Sequence, residues 1–363
     1  MHNNLFNKII CLNNLFLSWK EFKKGKRHKL DVQEFERNLE DNLFKLHEEL
    51  KSGKFQHSDY TSFHITDPKQ RHIHKACVKD RIVHHAVYRI LYPIFDQGFI
   101  FDSYSCRNNK GTHRAVNRLE RFIIKVSQNY VKPCFVLKCD IKRYFDSIDH
   151  EILFNLIKKK ISDKRTLDLI WEIIGSYHLK TNCHSGISKK YPESIQIDKN
   201  YHIDSRFRGN DIMMNNPFSF FEKGLPIGNL TSQLFANIYL NELDKFIKHK
   251  LRIKYYLRYC DDFVIISNCS DILQNIRIQI QDFLLNKLKL RLHPNKISIK
   301  KLKQGIDFLG YAILPHYRIL RTKTKRRMLK RVNLKNLQSY LGLLSHCNGY
   351  KLIKIIKNLF FRL

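Results

Sequence analysis

Asp261 and Asp262 are adjacent carboxylates in the run Arg258-Tyr259-Cys260-Asp261-Asp262-Phe263-Val264-Ile265-Ile266-Ser267. β-Formers precede them (Tyr255, Tyr256, Leu257) and apolar β-branched residues follow, which predicts a hairpin with the two acids at its turn. Adjacent like charges repel, and packing them against a core calls for a nearby cation. Taken alone, the pair reads first as a plain solvated turn, since Asp favours turns. A third carboxylate, Asp140, ends the apolar run from Cys134; alone it is as readily a strand-end cap. Together the strand-end acids could hold two Mg²⁺ ions about 4 Å apart, the arrangement that clamps attacking and leaving oxygens in phosphoryl transfer. Carboxylate oxygens suit such hard cations, and phosphates complete the coordination.

The elements that must position these acids follow from periodicity. An N-terminal helix (Leu5, Ile9, Leu12, Phe16) precedes a basic cluster from Lys23 to Lys29. An amphipathic helix then carries Phe35, Leu39, Leu43, Leu46 and Leu50 on one face, with Asp31 as a candidate cap and Gly53 as a stop. Tyr60 to Ile65 and Arg71 to Val78 read as strands joined through Asp67-Pro68. Helices are expected over Asp80 to Phe95 and His113 to Val126, then from near Asp149 and over Asp163 to Tyr177. Leu179 to Glu222 is polar and aperiodic, with a basic run at Ser205 to Asp211, and a stretch this long in a compact domain reads as an insertion. A glycine-bearing turn, Gly224 to Asn229, leads into a helix from Leu230 to Lys250. Beyond the Asp261 hairpin come a helix (Asp271 to Lys287), a second hairpin turning at His293-Pro294-Asn295, a strand from Ile306 to Ile313, and a basic helical tail from about Tyr317.

With 363 residues and 43% hydrophobic composition, the chain has enough apolar material for a sizeable core of two or three subdomains. Lys and Arg number 66 against 33 Asp and Glu, a net charge of +33 that calls for a polyanionic partner. The basic residues are spread among 25 Phe and 17 Tyr, which suits a long nucleic-acid groove better than a membrane-binding tail. The nine cysteines form no CxxC pair, so no zinc site is signalled. With no signal peptide and no apolar run of bilayer length, a cytoplasmic, reduced protein without membrane contact is expected.

Cys139-Asp140-Ile141-Lys142-Arg143-Tyr144-Phe145-Asp146 and Tyr259-Cys260-Asp261-Asp262 resemble the A and C palm motifs of reverse transcriptases. Tyr-x-Asp-Asp alone is a weak pattern, but the upstream block and the intervening glycine turn make the combination specific. The resemblance runs from about Arg71 to the C-terminus. It implies an α+β right-hand polymerase fold with fingers, a palm of antiparallel sheet backed by helices, and a short helical thumb. Gly224-Leu225-Pro226-Ile227-Gly228-Asn229-Leu230-Thr231-Ser232-Gln233-Leu234-Phe235-Ala236-Asn237 resembles motif B of the enzymes of diversity-generating retroelements. Group II intron enzymes typically carry Gln-Gly and then Ser-Pro there, where this chain has Ile227-Gly228 and Ser232-Gln233. Lys79 to Ala86, Asp102 to Ser105 and Gly111 to Ala115 point the same way.

Position by position, the resemblance implies two Mg²⁺ ions held by Asp140, Asp261, Asp262 and the Ile141 carbonyl. Phe145 matches the gate that excludes a 2′-hydroxyl; it reads otherwise as a core aromatic. Arg81 matches the fingers arginine on the triphosphate, with Lys75 or Arg71 as helpers or as solvated strand charges. Ile227 and Gly228 face the incoming nucleotide. Lys296 matches the lysine that protonates pyrophosphate, and reads equally as an exposed lysine. Phe308, Leu309 and Gly310 resemble the primer grip. His84 and His85 point apart on a helix and are read as structural.

The implied organisation is an N-terminal helical region (1–59), fingers (60–133), palm (134–178), insertion (179–222), palm (223–315) and thumb (316–363). The implied activity is RNA-directed DNA synthesis, error-prone at template adenines, with template RNA, the RNA/DNA hybrid, dNTPs and a small basic accessory protein as partners. No maturase or endonuclease domain is expected. The alternatives are a group II intron-like or defence-associated enzyme, or a non-catalytic RNA-binding remnant. The remnant is motivated by Ser205 to Asp211, which resembles a translated bacterial dispersed repeat.

Overall fold

The computed structural model describes residues 2–67, 70–177 and 223–360. The expected insertion over 179–222 and the Pro68 half of the first turn lie outside the described residues.

Four N-terminal helices come first: α1 (Leu5–Ile10), α2 (Leu12–Phe22), α3 (Leu30–Arg37) and α4 (Leu39–Lys51). The expected single helix over Phe35 to Leu50 is broken at Asn38, whose φ of −118° and ψ of 45° leave the helical region. Asn is a weak helix former because its side chain competes for the backbone. Asp31 is not a cap either: Lys29 holds that position, and Asp31 lies in the first turn of α3. An antiparallel hairpin, β1 (Thr61–Ile65) and β2 (Arg71–Lys75), is followed by α5 (Val78–Asp96) and α6 (Thr112–Val126).

The central sheet is antiparallel with order β4-β5-β3-β6, built from β3 (Phe135–Cys139), β4 (Tyr256–Tyr259), β5 (Asp262–Ser267) and β6 (Ser298–Lys301). Apart from Lys138, Asp262 and Ser267, its inner strands are apolar because both faces are covered. Leu137, Cys139, Phe263 and Ile265 join one core. Val136, Leu257, Val264 and Ile266 join a second core with residues of α6 and of the C-terminal segments. This is period-two alternation with burial on either side. Between β3 and β4 run α7 (Tyr144–Ser147), α8 (His150–Lys158), α9 (Lys164–Gly175) and α10 (Leu230–Lys245). The Asp149 carboxylate caps α8 by accepting from the Ile152 amide at 3.1 Å. α10 closes on a π-helical turn, Phe246–Lys250. α11 (Ser270–Leu288) then packs on the sheet.

Three expectations in the C-terminal half are corrected. His293-Pro294-Asn295 is no hairpin turn. Leu292 bridges Ile141 while Ser298 pairs with Lys138, so Pro294–Lys296 is a 3₁₀ turn bulging from one edge segment against β3. Ile306 to Ile313 is two strands, β7 (Ile306–Phe308) and β8 (Tyr311–Leu314), because Leu309 and Gly310 both take positive φ and reverse the chain. The tail opens with β9 (Tyr317–Leu320) before α12 (Thr322–Arg331), α13 (Leu337–Leu344) and α14 (Tyr350–Phe360). Among the described residues no helix is long and apolar enough to cross a membrane.

Candidate active site

β3 delivers Asp140 at its end, and the register Cys139↔Phe263 sets it beside the β4–β5 turn. Tyr259 pairs with Asp262, so Cys260 and Asp261 form the turn; Cys260 makes the reversal at φ 57°. Asp140 is buried. Burial, then the charges of Asp140 and Asp262, push the Asp261 carboxyl above its ordinary value. The Pro294–Lys296 bulge swings Lys296 onto Asp140, where Nζ donates to both carboxylate oxygens at 2.9 and 3.0 Å. Lys138 Nζ stands 3.7 Å from Asp262 and donates to the Asp307 carbonyl at 3.2 Å.

Among the described residues, no three His, Cys, Asp or Glu side chains are gathered closely enough to hold a metal ion. Asp140 is turned onto Lys296 instead. The donor set nonetheless suits a hard divalent cation: three carboxylates, one of them raised by burial and by the other two. At the Ile141–Leu292 bridge, the His293 amide donates to the Asp140 carbonyl and the Lys142 amide to the Arg291 carbonyl. The Ile141 carbonyl takes no part in closing that bridge.

Arg258 beneath the turn was not singled out as a functional residue from sequence. It is 1% exposed and donates to Asp244 through Nε (2.8 Å) and Nη2 (2.6 Å). It also donates to Asn237, to Ser103 Oγ, and to the Cys260 carbonyl at 3.0 Å. Burial opposes its charge, but Asp244 holds the guanidinium protonated above its usual range. Asp244, on α10, also accepts from Tyr256 at 2.6 Å. This fixes the backbone one residue before Asp261. The available signal was an Arg in an otherwise apolar strand, which needs a buried partner.

Phe145 is half-buried on α7 and lines a cleft with Gln233 and Cys260. Its carbonyl accepts from the Leu225 amide at 2.8 Å, which ties it to the glycine turn. That turn is pinned to β2, where the His74 amide donates to the Ile227 carbonyl at 3.2 Å. Gly228 sits at φ 123°, and a Cβ there would stand 3.3 Å from Ile73 Cγ2. Gly228, Lys75 and Arg81 line one cavity of ≈ 350 Å³. Both cations bond Asp31 Oδ2 at 2.7 Å. Arg71 is exposed at the start of β2 and does not line the cavity. Phe308 is buried in the β7–β8 hairpin, and the carbonyl of the preceding Asp307 accepts from Lys138, which stands near Asp262. His84 is buried, bonded to His57 and to Thr231 at the start of α10. Burial, then the charges of His57, His85 and Arg81, hold its imidazole well below the ordinary value.

Strand-end carboxylates on an antiparallel sheet, backed by helices and flanked by a hairpin and a basic helical tail, define an α+β right-hand polymerase fold. The chain belongs to the reverse transcriptase (RNA-dependent DNA polymerase) family, whose model matches residues 65–313. It is similar to protein YkfC of Escherichia coli (strain K12), with 24% identity over 303 residues covering 74% of this chain and 70% of that protein. Group II intron-encoded protein LtrA of Lactococcus lactis subsp. cremoris is 25% identical over 353 residues, covering 79% of this chain and 51% of LtrA. The apo telomerase of Candida tropicalis superposes with a TM-score of 0.49 and 13% identity, covering 78% of this chain and 52% of that one. The chain thus spans about half the length of LtrA and of the telomerase chain.

Proposed function

We propose that the chain is an RNA-directed DNA polymerase that copies template RNA into cDNA, with Asp140, Asp261, Asp262 and the Ile141 carbonyl holding two Mg²⁺ ions. Such ions neutralise charge developing on the attacking and leaving oxygens. The observation that carries the reading is the strand register, which sets Asp140 at the β3 end beside the β4–β5 turn bearing Asp261 and Asp262, where burial and the neighbouring carboxylates raise Asp261. Phe145 bounds the sugar, and Arg81, Lys75 and Arg71 attract the triphosphate. Ile227 and Gly228 roof the base, while Phe308, Leu309 and Gly310 grip the primer. Lys296, which holds Asp140 in the metal-free site, would serve as the acid toward pyrophosphate. In this reading residues 60–133 act as fingers, 134–178 and 223–315 as palm, and 316–363 as thumb.

The finer proposal is a diversity-generating enzyme, error-prone at template adenines, working in the cytoplasm with a small basic accessory protein. Its support is the motif B sequence, where aliphatic Ile227 removes polar contacts that would position the nucleotide. A group II intron-type enzyme is the second reading, favoured by the similarity to LtrA.

Primer extension on a defined RNA with Mg²⁺ and dNTPs tests the activity. Wild type should extend and Asp261→Ala should not; equal extension by the two, or none by either with accessory factors supplied, would falsify the polymerase reading. Sequencing the products of Ile227→Gln separates the finer readings: a drop in misincorporation opposite adenine supports diversification, and an unchanged spectrum favours the intron type.

A further inference from the structure

The cavity beneath Gly228 is completed by the N-terminal region. Lys26 and Lys29, between α2 and α3, line it with Lys75 of β2 and Arg81 of α5. No Asp or Glu is among the lining residues. Among the described residues one carboxylate is paired with this cluster: Asp31, whose Oδ2 lies 2.7 Å from both Lys75 Nζ and Arg81 Nη2. The Phe22 ring carries Lys26 and Arg81 at 4.7 Å each. Among the described residues, Lys75 and Arg81 therefore share one acid while Lys26 and Lys29 line the same space, which opens toward the motif B turn.

We infer that this cavity is a nucleotide-phosphate subsite built partly by the N-terminal region, with Asp31 as an internal stand-in for the phosphate. A carboxylate oxygen bridging a guanidinium and an ammonium occupies the place a phosphate oxygen takes between the same donors. An entering phosphate displaces Asp31 from Lys75 and Arg81, and Lys26 and Lys29 supply the charge that Asp31 alone does not match. At two groups the positive neighbours add to a lowering that burial leads. Burial, then Arg81 and Lys29, lower Lys26. Burial, then Lys26, Arg81 and Arg89, bring His85 down to about 4. The phosphate belongs either to the incoming nucleotide or to the template strand. Both are polymerase substrates, so the inference rests on the function proposed above.

The test is binding without chemistry, on the full chain in EDTA. One probe is a fluorescein-labelled single-stranded RNA of about 12 nucleotides read by anisotropy, a length within single-strand site sizes. The other is tripolyphosphate, read as a competitor. Asp31→Asn keeps the shape and removes the competing charge. It should tighten one probe about threefold, the scale of a partly exposed ion pair. Lys26→Gln/Lys29→Gln should weaken that same probe. A response confined to RNA assigns the phosphate to the template, and one confined to tripolyphosphate assigns it to the nucleotide. Asp31→Asn leaving both probes unchanged, or weakening them, overturns the stand-in; an inert lysine pair overturns the N-terminal contribution. Asp261→Ala, measured alongside, should lose extension and keep both binding constants. Failure of the polymerase reading is thereby seen apart from failure of this one.

Discussion

The strongest structural demand on the site falls on the Arg258–Asp244 pair, with 1% and 0% of the two side chains exposed. Removing one member of a buried, hydrogen-bonded ion pair costs about 3–5 kcal/mol, because the survivor stays buried and uncompensated. Arg258→Met strips Asp244 to its Tyr256 bond and frees the Cys260 carbonyl, the Asn237 amide oxygen and the Ser103 hydroxyl. Asp244→Leu leaves a fully buried guanidinium with neutral partners. Each single change should therefore lower urea-derived stability by about 3–5 kcal/mol. The double change, Arg258→Met with Asp244→Leu, removes both charges at similar volume and should cost far less than the sum. A coupling of about 2–3 kcal/mol is expected, at the upper end for contacting residues. Primer extension should not recover in the double variant, since an apolar pair cannot hold the Cys260 carbonyl and with it the approach to Asp261. Additive single effects, or a loss below about 1 kcal/mol for either, would show that the pair is not the anchor described.

Two further outcomes follow from the same geometry. The Asp261 carboxyl is raised above the unfolded value of 3.8, so metal-free stability falls as pH climbs from that value through the native one. Asp261→Asn should melt higher than wild type in EDTA, by a margin growing across that window and then constant, while Mg²⁺ should raise the wild-type melting temperature more than the variant's; a less stable Asp261→Asn at neutral pH refutes the strain on this carboxyl. Gly228→Ala places a side chain at φ 123° and 3.3 Å from Ile73, so a loss of about 1–3 kcal/mol and a higher KM for dNTP are expected, with unchanged urea midpoint and KM as the contrary result.

The helices, the central strands and the Asp261 hairpin were legible because apolar periodicity and turn chemistry are local properties. What put Asp140 beside Asp261 was register, a relation between strands over a hundred residues apart that no local pattern encodes. The misread segments share a cause. Leu309 adopts φ 48° with only Gly310 as a turn signal, so Ile306 to Ile313 looked like one uninterrupted strand. Pro294-Asn295 carries every mark of a hairpin turn, yet the chain continues along the same edge, since β3 pairs with the segment after the bulge and Ile141, just beyond β3, bridges Leu292 before it. That difference has a chemical consequence. A hairpin turn would carry Lys296 away at its tip, whereas a bulge against β3 presses it onto Asp140. The ion pair follows from the edge geometry of the sheet.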